Sequence, residues 1–234
     1  MFRFIPNSIS DALNPTLSQL HSELAAVLRQ QGDLVAAANC YRQAIALHRH
    51  NGLAPAAGAA IFHNLGLTLF EQEQWAAAAD CYRQAIALWA DGNRKAVVMA
   101  YSNLGCALVQ QGELGEAIAC FNQGIQIAPS WAALRINLGQ ALAQLGRKAE
   151  ALAQFDRAIG LEPNAVIAHR YRAHCLQQQE AWTEAIASWQ RVIELSPNDV
   201  TAWGELAIAQ MAQGDWHSAM MSLRLALQLQ PEFG

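Results

Sequence analysis

Four prolines, Pro129, Pro163, Pro197 and Pro231, follow one another at intervals of 34 residues, and the residues between them repeat in kind. A small residue recurs at Ala37, Ala78, Ala117, Ala151, Ala185 and Ala219. Four positions later stands a large one: Tyr41, Tyr82, Phe121, Phe155, Trp189 and Leu223. Three further on comes Ala44, Ala85, Gly124, Ala158, Val192 or Ala226. Upstream, Ala25, Gly66, Gly105, Gly139, Ala173 and Ala207 form another small column, and the octapeptide CYRQAIAL occurs whole at 40–47 and 81–88. Self-similarity at such a period limits the chain to tandem-repeat architectures.

Spacings of three and four place these columns on one face of a helix. Small residues let two helices cross closely, and the large residue fills the space beside them. Gly32-Asp33, Gly112-Glu113, Gly146-Arg147 and Gly214-Asp215 mark a turn inside the repeat, because glycine readily takes the left-handed conformation that ends a helix. Proline then stops the second helix. A single hairpin cannot bury its apolar face alone, so the units must stack. The composition, 53% hydrophobic and 15% charged, supplies the core, and no alternating Val/Ile/Thr stretch suggests a sheet. Asn14-Pro15 reads as an N-cap followed by proline at the first helical position.

The order of an aromatic, Leu-Gly, Ala, an aromatic four on, and Pro resembles the tetratricopeptide repeat family. In the third unit it reads Tyr101, Leu104-Gly105, Leu108, Ala117, Phe121, Pro129; in the sixth, Trp203, Leu206-Ala207, Ala219, Leu223, Pro231. The resemblance implies an all-α, right-handed superhelix of six helix-turn-helix hairpins over 18–51, 59–92, 98–131, 132–165, 166–199 and 200–231, with 1–17 as an N-terminal extension or cap. The first two units lack the closing proline, and the steps from Ala37 to Ala78 and from Ala78 to Ala117 are 41 and 39 rather than 34. Inserts around 51–55 and 92–95 account for the difference by lengthening helices or loops.

A formal charge of −4, with scattered arginines and only Lys95 and Lys148 as lysines, gives no grip on nucleic acid or an anionic membrane. No run approaches membrane-spanning length, so the chain is not expected to insert in a membrane. Five cysteines, three of them (Cys40, Cys81, Cys120) at one repeat position, fit a reducing, cytoplasmic setting. No phosphate-binding loop, nucleophile elbow or HExxH motif appears, so no catalysis is expected. His48 and His50 stand two apart and His169 and His174 five apart, poor spacings for one helix face, and neither pair gains a cysteine or carboxylate to hold a metal. No cofactor is expected.

In the family resembled, the first helix of each hairpin lines a concave groove. Carried over, that gives Asn64, Asn103 and Asn137, each directly before Leu-Gly, with Glu23, Tyr171 and Glu205 at the same place in the other units. A side-chain amide both donates and accepts, so a column of them suits the backbone of an extended partner; the same asparagines can equally brace the neighbouring helix. His63, Gln140, Arg170, Tyr171 and His174 join the candidate groove. Arg172, at a half-buried position, is expected to be neutralised by Glu180, Glu184 or Glu205. The lysine-bearing carboxylate clamp of chaperone adaptors is missing: its positions carry residues such as Ser22, Ala26, Asn64, Met99 and Asn103. The resemblance therefore implies a scaffold that binds a protein or peptide segment, or alternatively the substrate-recruiting arm of a larger enzyme such as a glycosyltransferase. At the C-terminal end Met221 stands where earlier units carry Asn39, Asp80 or an alanine, and Leu225 where they carry glutamine or arginine; the two are four apart on one face, which points to self-association or a cover there.

Overall fold

The computed structural model describes residues 8–50, 55–89 and 93–229, and all regular structure among them is α-helix. The chain divides into two compact units, Met1–Pro129 and Ser130–Gly234. The first pairs α1 (Ser8–Gln30) with α2 (Leu34–His50), α3 (Pro55–Glu71) with α4 (Trp75–Trp89), and α5 (Arg94–Gln110) with α6 (Leu114–Ile127). In the second, α7 (Ala132–Gln144) pairs with α8 (Lys148–Leu161), α9 (Val166–Gln177) with α10 (Trp182–Leu195), and α11 (Val200–Gln213) with α12 (Trp216–Leu229). Within each unit, hairpin packs on hairpin. The class is the expected all-α repeat superhelix.

The turn inside every hairpin is the same. In the first, the N–H of Gly32 bonds the carbonyl of Arg29, and that of Asp33 bonds Leu28. The pattern recurs at Glu73-Gln74, Gly112-Glu113, Gly146-Arg147, Glu180-Ala181 and Gly214-Asp215. This pair of bonds satisfies two carbonyls at the helix end and requires a left-handed residue. Glycine supplies it four times, with φ between 81° and 90°, while Glu73 and Glu180 adopt it at φ 60° and 57°.

The small columns are buried, and their purpose is close approach. A Cβ added at Gly66 would lie 2.7 Å from Tyr82 Cε1, at Gly105 2.4 Å from Phe121 Cε1, and at Gly139 2.5 Å from Phe155 Cε1. Each aromatic therefore lies against the glycine of its own hairpin's first helix. Tyr41, Tyr82, Phe121, Phe155 and Trp189 are fully buried, whereas Leu223 in the last hairpin is 40% exposed.

The inserts lengthen helices: α2, α3 and α5 each have 17 residues, against 12 in α9. Pro55 opens α3, and Asn93 caps α5 by accepting from the N–H of Ala96 at 3.1 Å. Residues 51–54 and 92 of the inserts, together with Pro231, lie outside the described residues. One expectation is corrected. Helix α1 begins at Ser8 and runs through Asn14 and Pro15, so Asn14 is not an N-cap. Inside the helix Pro15 lacks the bond to the carbonyl of Asp11 and its ring crowds that carbonyl, a cost that can be met by bending the helix as well as by ending it. Residues 8–17 of the expected extension thus belong to the first helix; residues 1–7 lie outside the described part.

Candidate binding groove

In the first unit the candidate residues form a network between α3 and α5. His63 is buried, and its ring lies 5.7 Å from that of Tyr82 and 5.5 Å from that of Trp89. Its Nε2 accepts from the side-chain N–H of Asn103 at 3.1 Å, in the neutral tautomer with the proton on Nδ1. Burial lowers the His63 pKa below its ordinary value; a hydrogen bond with Asn64 opposes the shift, and the charge of Arg29 adds to it. Asn64 and Asn103 are half-buried. Asn103 thus braces α5 on α3 with one end of its amide.

The second unit holds an open cleft of about 290 Å³ lined by Gln140 and Gln144 of α7, Phe155 of α8, and Tyr171, His174 and Cys175 of α9. Tyr171 stacks on Phe155 with centroids 5.9 Å apart and planes 19° from parallel. His174 stands edge-on to the buried Trp189 at 4.8 Å. The arrangement follows from the helix period: Tyr171, His174 and Cys175 are three and four apart, and so are Gln140 and Gln144. Three residues chosen from sequence, Gln140, Tyr171 and His174, meet here. Phe155 and Cys175 were missed as site residues; their signal was the large-residue column for one and the step of four from Tyr171 for the other. Burial raises the Cys175 pKa, with Gln179 and Lys148 opposing, so this thiol is an apolar wall and not a thiolate nucleophile.

The remaining candidates are placed elsewhere. Asn137 is half-buried on α7. Arg170 pairs with Asp199, the N-cap residue of α11. Glu205 accepts from Gln177 Nε2 at 3.2 Å. Arg172 is neutralised inside the stack, but not by Glu180, Glu184 or Glu205: its Nε donates to Asp156 at 2.7 Å and its Nη1 to Ser188 Oγ at 2.6 Å. Glu180 stands on the turn after α9, Glu184 in the first turn of α10 and Glu205 on α11, whereas Arg172 extends between Asp156 of α8 and Ser188 of α10.

Met221 and Leu225 line a second cleft, about 580 Å³, with Ile193 of α10 and Trp203, Leu206 and Gln210 of α11. One repeat earlier Ala187 stands at the position of Met221, Arg191 at that of Leu225 and Arg172 at that of Leu206, around a smaller cleft of about 240 Å³. The pair thus faces this side cleft and not the end of the stack. Among the described residues no three His, Cys, Asp or Glu side chains converge as metal ligands, and no helix is long and apolar enough to cross a membrane.

Two profiles, both described as tetratricopeptide repeat, match the sequence over residues 16–91, 58–130, 136–200 and 172–232. The chain belongs to the tetratricopeptide repeat family. No curated protein matches the sequence. Among solved structures, a tetratricopeptide repeat protein from Parabacteroides merdae ATCC 43184 is similar at 19% identity and a TM-score of 0.74, over 91% of this chain and 80% of that one. MamA (41-end) from Desulfovibrio magneticus RS-1 is 14% identical, with a TM-score of 0.65 over 75% of this chain and 96% of that one. YrrB, a tetratricopeptide repeat protein with an unusual peptide-binding site, is 22% identical, with a TM-score of 0.59 over 75% and 88%. At these identities the likeness establishes the fold.

Proposed function

We propose that this tetratricopeptide repeat protein is a non-catalytic scaffold that captures a protein segment and helps assemble a complex. The observation that carries this reading is the convergence of Gln140, Tyr171 and His174 on one open cleft. Its aromatic wall suits an apolar side chain of the partner, and the glutamine amides at its edge suit the flanking peptide groups, since each offers a donor and an acceptor. The similar fold of YrrB carries a peptide-binding site, which accords with this use of the architecture. Asn137, Arg170 and Glu205 of the second unit join this surface in our reading, and in the first unit Asn64 and Asn103 form a partner-binding surface of their own, Asn103 with the acceptor end of its amide. We place this role in the cytoplasm, where free thiols such as Cys40, Cys81 and Cys120 persist.

Selection of a random peptide library on the immobilised chain tests the proposal. Peptides enriched on the wild type should share an apolar anchor and bind a Tyr171→Ala, Gln140→Ala variant at least tenfold more weakly, with helicity unchanged. Absence of enrichment, or equal binding to the variant, would overturn it.

A further inference from the structure

The joint between the fifth and sixth hairpins shows what the exposed faces of α12 and α1 are built to meet. In that joint Trp189 and Ile193 of α10, with Trp182 and Ile186 at the margin, pack against Ala202, Leu206 and Ala209 of α11. Counting 34 residues on from the four α10 positions gives Trp216, Met220, Leu223 and Leu227 of α12. All four are exposed, by 40–71%, and they stand at steps of four, three and four along one face. The last helix therefore offers, uncovered, the face that α10 gives to α11.

The opposite half of the joint is uncovered on α1. Ala25 and Ala207 occupy one repeat column, so Leu20, Leu24 and Val27 hold the registers of Ala202, Leu206 and Ala209. With Leu17 they form a stripe that is 43–55% exposed, while Ser18 and Ala25 on the other side of α1 are buried. The bulk is also redistributed in a matching way. Inside, the indole of Trp189 meets alanines. At the ends, the smaller Leu223 stands where tryptophan stood, and Leu20 and Val27 stand where the alanines stood. One tryptophan has become leucine on α12 while two alanines have become leucine and valine on α1, so bulk has moved from the α12 side of the contact to the α1 side. Two α12 faces brought together would lack this exchange.

We infer that a second copy of this chain is the occupant: α12 of one molecule packs its Trp216–Met220–Leu223–Leu227 stripe on the Leu17–Leu20–Leu24–Val27 stripe of α1 in the next. The contact is heterologous, joining two different patches, and it is separate from the proposed groove.

Sedimentation equilibrium of the full chain over a concentration series tests it. The wild type should show a mass that rises with concentration, and Leu20→Lys and Leu227→Glu should each weaken association at least tenfold. An equimolar mixture of the two variants should form dimers and nothing larger, because each contributes one intact stripe. Met221→Glu, in the side cleft, should leave association unchanged. Leu24→Lys and Trp216→Glu replace any variant whose circular dichroism shows misfolding. A monomeric wild type at every concentration, association that survives either stripe substitution, a mixture that stays monomeric, or loss of association in Met221→Glu would each overturn the inference.

Discussion

Asn103 of α5 donates its side-chain N–H to Nε2 of His63 on α3, 3.1 Å away, and so ties the third hairpin to the second through a buried imidazole. The bond requires neutral histidine, and burial of His63 favours that form by lowering its pKa. His48, also buried, shifts in the same direction for the same reason. The unfolded chain binds these protons more readily, near the ordinary value of about 6.5. Stability from these groups is therefore complete above that value and is lost as pH falls below it toward the folded-state pKa values. The urea midpoint of the wild type should drop between pH 7 and pH 5, and His63→Gln should flatten that drop.

Glu73 and Glu180 hold left-handed backbone where the other four hairpins have glycine. An L-residue gives up about 1–2 kcal/mol there, partly offset by the greater freedom glycine loses on folding. Glu73→Gly and Glu180→Gly should each stabilise the fold by about 0.5–1 kcal/mol in chemical denaturation. Gly112→Ala should cost a similar amount.

Phe121 lies so close to Gly105 that even a methyl group would meet its ring. Gly105→Ala should cost about 1–3 kcal/mol from overpacking. Phe121→Leu alone should cost about 1 kcal/mol or more through the space it opens. Together the two should cost clearly less than their sum, because Ala207 and Leu223 already form that combination in the sixth hairpin. A double-mutant cycle measures the coupling.

Arg172 and Asp199 should respond very differently to removal. The partner of Arg172, Asp156, is largely solvated, and Ser188 keeps a 3.0 Å bond to the carbonyl of Glu184 without it. Since the next hairpin carries Leu206 at the same place, Arg172→Leu should change stability by no more than about 1 kcal/mol. Asp199 caps α11 by accepting from Ala202 N–H at 3.1 Å and also holds Arg170. Asp199→Ala should cost about 1–2 kcal/mol, read from the thermal unfolding midpoint.

Much of the fold is legible in the sequence. The helix period, the small and large columns, and the glycines at 32, 112, 146 and 214 determined the twelve helices, in six hairpins, of the described residues, because each signal acts within one or two helical turns. The sequence also marked Gln140, Tyr171 and His174 by their place on first helices. Tertiary structure alone decided which polar side chains stay available to a partner. Asn103 meets His63 from 40 residues away, Arg170 meets Asp199 from 29, and Arg172 meets Asp156 from 16. A repeat column says which face a residue occupies, but not how far its side chain reaches across to the next helix. That reach depends on how closely glycine and aromatic columns let neighbouring helices approach. Glu73 and Glu180 make the same point for backbone: no local signal placed them in the left-handed region, and the pair of bonds closing each turn did.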